Sequence, residues 1–178
     1  MTLQNLCLNK EVNIMLDKVC SVLAKISMFI AASCTGVLAV IMFLQIFFRM
    51  VVNSPLSWAD EISGYVLVWI SMYGAVAALY EKRHLAITAV LDRLSGKTLA
   101  TMKIVVNILI LVFLGFLFYY SIPLITKLGS MTANALPIPL TLIYSPMAIT
   151  ACFSIIIVIS DILDEIKKNW RKEGGVEQ

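Results

Sequence analysis

Few residues in this chain could do chemistry, and their types and spacing argue against a catalytic site. There is one histidine, His84, and the four cysteines are not spaced as metal ligands or as a redox pair. No base stands near a serine nucleophile in the apolar segments. The sequence therefore predicts no enzyme, no cofactor and no metal site. Basic residues interleaved with aromatics, which would indicate nucleic-acid binding, are missing as well.

The densest group of polar residues follows Arg49. Residues 57–60 (Ser-Trp-Ala-Asp) have the spacing of a helix capping box, and Glu61 comes next. One interpretation is structural: Asp60 and Glu61 occupy a first helical turn, where the helix dipole favours negative charge, and Trp58 anchors at headgroup depth. The other is functional: Arg49, Asp60 and Glu61 present a polar surface to an extracytoplasmic partner.

The elements that must position these residues are membrane-spanning helices. Apolar residues make up 60% of the 178. A spanning helix needs roughly 20 apolar residues, and four uncharged runs supply them, over 26–48, 62–80, 104–126 and 140–160. The last begins near Leu140 because Leu136-Pro137-Ile138-Pro139 cannot lie inside a helix. We expect an all-α integral membrane protein, a single four-span domain over residues 1–178, with bends at Pro123 and Pro146.

The orientation follows from the basic residues, since Lys and Arg are retained on the cytoplasmic side. Of the 14 basic residues, 12 lie in the N-terminal segment, the second connection and the tail, whereas the other two connections hold only Arg49 and Lys127. Both termini are therefore predicted to be cytoplasmic. Charged residues interrupt the N-terminal segment, so we expect no cleavable signal there.

Two further stretches, residues 8–25 and 85–95, have apolar residues every three or four positions opposite polar ones. Each is typical of an amphipathic helix lying on the cytoplasmic membrane surface. For the first stretch the alternative is a continuation of the first span into water.

Small residues recur at helical spacing inside the second span, as the pairs Ser71/Ala75 and Gly74/Ala78, beside a bulky ridge that includes Trp69. Such pairs let helix backbones approach closely in a membrane. They indicate packing either within this chain's own bundle or against a partner subunit. Gln45 and Asn107 are polar residues of the kind that hydrogen-bond one helix to another.

The four predicted spans contain no Asp, Glu, Lys, Arg or His. Ionisable groups persist in membranes where they relay protons, bind ions or hold substrate. Their absence argues strongly against a proton-coupled transporter and more weakly against a sodium-coupled one, because backbone carbonyls can bind Na⁺. A self-sufficient homo-oligomeric channel or exporter, lined by Ser33, Thr35, Gln45 or Asn107, is one alternative. A membrane assembly protein unrelated to transport is another.

Several motifs, in order and spacing, resemble the small membrane subunit of tripartite ATP-independent periplasmic (TRAP) transporters. The resemblance covers most of the chain from Phe43 to Ser160. It includes Gln45-Ile46-Phe47-Phe48-Arg49, Asn53-Ser54-Pro55-Leu56-Ser57-Trp58 with the acid pair, Val68-Trp69, Gly74-Ala75, His84-Leu85, Leu91-Asp92-Arg93-Leu94, and Leu136-Pro137-Ile138-Pro139 with Tyr144 and Pro146. Four spans and cytoplasmic termini agree with the same family.

The resemblance implies a DctQ-like small permease subunit of a Na⁺-driven uptake system for organic acids, such as C4-dicarboxylates or sialic acid, in the bacterial inner membrane. In such a system a periplasmic binding protein captures the carboxylate, and a large membrane subunit holds the substrate and sodium sites. The small subunit pairs with the large one as a scaffold and does not bind substrate. The resemblance also implies a cytoplasmic motif of His84, Asp92 and Arg93.

Overall fold

The computed structural model of the chain describes residues 3–54, 56–91, 97–129, 131–133 and 137–173. Within these ranges it describes the side chains of residues 15–81 and 101–166. Four long helices make up most of the described chain: α1 (Leu3–Phe47), α2 (Ser57–Leu91), α3 (Lys97–Leu128) and α4 (Leu140–Glu173). A π-helical turn, Phe48–Val52, extends α1. Elsewhere the described residues contain one isolated antiparallel bridge, between Thr132 and Pro139. The predicted all-helical class is confirmed.

Each helix contains a stretch long and apolar enough to cross a membrane: Met15–Val52, Ser57–Glu81, Thr101–Leu128 and Leu140–Ile166. The prediction of four spans is confirmed by length and composition. α4 begins at Leu140, as the preceding prolines required, and Pro123 and Pro146 lie inside α3 and α4. Bends at these two prolines stay a prediction.

The amphipathic stretches continue the long helices. Residues 8–25 belong to α1 and residues 85–91 to α2, and no break separates either stretch from the apolar run of the same helix. Residues 92–95 of the second stretch lie outside the described residues. The continuity of α1 agrees with the alternative that its first half extends the first span. The position of either stretch on a membrane surface stays a prediction.

The helices pack as two antiparallel pairs, α1 with α2 and α3 with α4. α4 also packs against α1 and α2, whereas α3 packs mainly against α4. α4 is consequently the most enclosed helix, and Pro146, Ile157 and Val158 on it are fully buried. A buried apolar cluster joins Ile157 to Cys20 on α1 and Val76 on α2.

α1 meets the bundle through a row of small residues. Cys20, Ala24 and Ser27 are buried, and Ala31 and Cys34, which continue the row, are half-buried. Alternating steps of four and three residues separate them, which is the spacing of helices that cross at a small angle in a left-handed bundle. The small side chains let the backbones approach closely and so stabilise the helix pair in a membrane.

Pro146 removes a backbone donor inside α4, and a neighbouring side chain replaces it. Any other residue at this position would donate its N–H to the Leu142 carbonyl, one turn earlier. The Ser145 hydroxyl donates to that carbonyl instead, at 2.8 Å. α4 therefore accommodates its proline without leaving this acceptor unsatisfied, as membrane helices require.

Contacts between helices bring their uncharged stretches to a common depth. At one end the Gln45 side chain on α1 bonds to Asp60 on α2, close to the first residues of α2. At the other end Lys103 on α3 pairs with Glu165 on α4 at 3.4 Å. Between these levels α4 carries no charge from Leu140 to Ser160, which is about 30 Å of helix. This is the thickness of the hydrocarbon core of a bilayer.

Candidate functional site

The predicted polar site lies where α1 passes into α2, at the end of the bundle that also carries the α3–α4 connection. α1 ends in the π-helical turn Phe48–Val52, and Asn53 then reverses the chain with a φ of 54°. π-helical turns are rare and frequently lie at functional sites. Asparagine is one of the few residues with a side chain that adopt this left-handed conformation. α2 starts at Ser57 and places Asp60 in its first turn, as predicted, whereas Glu61 comes directly after that turn.

Four polar residues line an open cleft of about 460 Å³ between the ends of these helices: Gln45, Arg49, Asn53 and Asp60. We call it the polar cleft. The Gln45 amide donates a hydrogen bond to the Asp60 carboxylate. This confirms the prediction that Gln45 hydrogen-bonds one helix to another. Arg49 is exposed, and the described residues form no ion pair with it. The cleft thus sets an exposed guanidinium beside a carboxylate that is held in place.

The acid pair is divided between two environments. Asp60 is exposed and faces α1, whereas Glu61 is half-buried and accepts a hydrogen bond from the Tyr65 hydroxyl at 2.5 Å. Neighbouring helical residues point about 100° apart around the axis, so two adjacent carboxylates rarely share one partner. The structure therefore brings Arg49 and Asp60 together and leaves Glu61 outside the polar cleft.

Two tryptophans on α2 differ in their surroundings. Trp58 lies in the first turn and exposes 36% of its surface, while its depth in a membrane stays a prediction. Trp69 is half-buried beside Tyr73, with ring centres 5.9 Å apart. Trp69 therefore packs at least partly within this chain.

The cytoplasmic motif is only partly within the described residues. His84 lies in α2, but its side chain is outside the described set, as are Asp92 and Arg93 altogether. Their role stays a prediction.

The small residues of α2 form an exposed strip. Ser71, Ala75 and Ala78 are exposed, and Gly74 beside them is half-buried. Gly64, nearer the polar cleft, is also exposed, and beyond the adjacent helix backbone no described atom lies within 4 Å of the Cβ position of either glycine. The described part of the bundle does not fill this surface, which we call the small-residue strip.

Two residues of this region, Asn53 and Tyr65, are not predicted as site residues from the sequence. An asparagine before Ser-Pro is nevertheless a signal for a left-handed position. Tyr65 stands four residues after Glu61, which is the spacing at which helical side chains meet.

Residues 38–168 of the chain match the family of tripartite ATP-independent periplasmic transporters, DctQ component. This range is well over half of the chain. The chain belongs to the DctQ family. A Haemophilus influenzae protein named as a TRAP transporter small permease protein is 29% identical over 80 residues, which are 45% of this chain and 50% of that protein. The chain thus spans about half the length of the curated relative it matches.

The DctQ match includes the polar cleft, the small-residue strip and both helical prolines, and it begins inside α1. The family expected from the sequence motifs is confirmed. DctQ is a family of transporter components rather than of enzymes, which is consistent with the expectation of a non-enzymatic chain.

Proposed function

We propose that this DctQ component is the accessory small subunit of a sodium-coupled TRAP transporter that imports an organic acid across the bacterial inner membrane. A periplasmic binding protein delivers the carboxylate, and a large membrane subunit holds the substrate and sodium sites. The small subunit has both termini in the cytoplasm, braces the large subunit and binds no substrate. The observation that carries the proposal is the DctQ match over most of the chain.

The uncharged spans support an accessory role. No Asp, Glu, Lys, Arg or His lies within the four predicted spans, and a chain that moved ions or acids by itself would be expected to carry such groups there. Sodium sites can also be built from backbone carbonyls where membrane helices are broken. The described helices run through the uncharged layer without interruption, which favours placing the sodium site in another subunit.

The small-residue strip supports pairing with the large subunit. Lipid tails provide no hydrophobic force between membrane helices, so helices associate where small side chains let their backbones approach. α1 uses its own row of small residues in this way inside the chain. We assign the corresponding strip on α2, with Ser71, Ala75 and Ala78 exposed, to a helix of the large subunit.

The polar cleft supports contact with the binding protein. The Arg49 guanidinium can donate two parallel hydrogen bonds to a carboxylate, and Asp60 can accept from a basic side chain. Exposed charges of this kind steer association and set orientation more than they add affinity. Glu61 is hydrogen-bonded to Tyr65. We therefore assign it a structural role at the start of α2 and no contact with the binding protein.

Co-purification of the large subunit with this chain tests the pairing. In Ala75→Leu the added bulk prevents close backbone approach, so recovery of the large subunit should fall roughly tenfold, equivalent to about 1.4 kcal/mol. Ile159→Leu, on an exposed site of α4, is the matched control and should leave recovery unchanged. Failure of the unaltered chain to bind any large subunit, with symmetric homo-oligomers instead, would contradict the proposed function.

A further inference from the structure

Four aromatic side chains of α3 project away from the bundle. Phe113, Phe116, Tyr119 and Tyr120 expose 64%, 60%, 68% and 63% of their surfaces. The rings of Phe116 and Tyr120 stack with centroids 6.5 Å apart, and those of Tyr119 and Tyr120 meet edge to face at 5.3 Å. We call this surface the aromatic face. α3 packs mainly against α4, so the described part of the chain leaves the aromatic face uncovered.

The two tyrosines lie deep in the uncharged layer. The first charged residue towards the end of α3 is Lys127, seven residues after Tyr120, which is about 10 Å along the helix. Helical side chains lean towards the N-terminus of their helix, so both phenols point still further from that boundary. Neither hydroxyl has a hydrogen-bond partner among the described residues. A hydroxyl exposed to lipid tails without a partner is unfavourable.

Pro123 adds an acceptor to the same face. Proline has no N–H, so the Tyr119 carbonyl one turn earlier lacks its usual helical donor. In α4 the equivalent carbonyl before Pro146 is bonded by Ser145. In the described part of α3 the neighbouring hydroxyls donate to other carbonyls. A side chain therefore compensates for the buried Pro146, whereas no side chain in the described part of the chain donates to the carbonyl before the exposed Pro123.

We propose that the aromatic face is covered by a transmembrane helix of the large subunit. This helix supplies acceptors to the Tyr119 and Tyr120 hydroxyls and a donor to the Tyr119 carbonyl. A lipid tail offers neither, so the polar groups select a protein partner, and aromatic residues are enriched in the centres of protein interfaces. The inference rests on the proposed function for the identity of the partner, and it adds a contact separate from the small-residue strip.

Photo-crosslinking in membranes tests this assignment. A photoreactive phenylalanine analogue is placed at position 116 or 120 of the full chain, co-expressed with the large subunit. Position 37 on α1 is the matched control, because Val37 is 52% exposed and, like Phe116, lies near the middle of an uncharged run. Positions 116 and 120 should crosslink to the large subunit, and position 37 should not. Products with lipid alone, or with a second copy of this chain, would overturn the inference.

A second measurement isolates the hydroxyl groups. Tyr119→Phe combined with Tyr120→Phe keeps both rings, and it should weaken association with the large subunit in liposomes about three- to tenfold. Phe43→Leu, which alters an exposed aromatic of α1, should leave association unchanged. Unaltered association in the double variant, while Ala75→Leu still disrupts pairing, would refute the aromatic-face contact and leave the proposed function standing. If the unaltered chain binds no large subunit, both fail.

Discussion

Asn53 determines the reversal of the chain after α1, because its φ of 54° is positive. This conformation costs an ordinary L-residue about 1–2 kcal/mol, whereas glycine adopts it freely. Asn53→Ala should therefore lower the free energy of unfolding by about 1 kcal/mol, and Asn53→Gly should change it by only a few tenths. Unfolding in detergent measures both. Equal destabilisation by the two variants would indicate that the side-chain amide, rather than the backbone, is what matters.

Arg49 and Asp60 share the polar cleft, yet the described structure shows no ion pair between them. If each contacts the binding protein, Arg49→Glu and Asp60→Arg should each lower the initial uptake rate roughly tenfold, at the low end of electrostatic steering effects, and leave subunit pairing intact. The difference in uptake rate between each variant and the unaltered transporter should become smaller at higher salt, because salt screens the charges that attract the binding protein.

The double reversal of these two charges separates the interpretations. Because the charges face a partner rather than each other, Arg49→Glu with Asp60→Arg should not restore uptake. Restored uptake would indicate that Arg49 and Asp60 interact with each other rather than with a partner. Gln45→Ala is the control for the charge changes, because it removes the hydrogen bond to Asp60 and leaves both charges in place.

The division of the acid pair shows what could not be predicted at the level of single residues. The sequence predicts that Asp60 and Glu61 lie at the start of a helix, because their positions after Ser57 and the helix dipole favour that placement. It does not specify which of them faces α1, since that depends on how α1 and α2 are rotated against each other. The hydrogen bond between Gln45 and Asp60 follows from that rotation. The one between Tyr65 and Glu61 lies within α2, where residues four apart meet.

At the scale of single helices, the Ser145 hydroxyl is predicted to matter only because of the proline beside it. Ser145→Ala should lower the free energy of unfolding by about 1 kcal/mol, as it leaves the Leu142 carbonyl without a donor. In a P146A background the backbone N–H is restored, so the same substitution should cost almost nothing. A double-mutant cycle measured by unfolding in detergent gives the coupling. Equal costs in both backgrounds would show that Ser145 acts in some other way.

Helix positions and the start of α4 were predictable, whereas the end of the first span and the extent of α1 were not. Long uncharged runs and the pair Pro137 and Pro139 leave few alternatives for the four spans, and α4 begins at Leu140 accordingly. The π-helical turn Phe48–Val52 has no pattern of its own, because residues that form it also suit an ordinary α-helix. The continuity of α1 from Leu3 to Phe47 was similarly one of two possibilities, since an amphipathic pattern does not specify what its apolar face covers.

At the scale of the whole molecule, the surface is divided by chemistry. α4 exposes isoleucines such as Ile149, Ile156 and Ile159, which suit lipid tails. α2 exposes small residues, and the end of α1 exposes charge. Exposure alone would not distinguish these surfaces, because the described core is small and most described residues of α1 and α3 are exposed. Side-chain type separates the lipid-facing surface from those assigned to partners.

The central claim is that this chain is required for transport without carrying the transported acid or its driving ion. Sodium-driven uptake of a radiolabelled organic acid into proteoliposomes tests it most directly, with this chain, the large subunit or both reconstituted and the loaded binding protein outside. Uptake is expected only when both membrane subunits are present, and none with this chain alone. Uptake by this chain alone, or full uptake by the large subunit without it, would refute the claim.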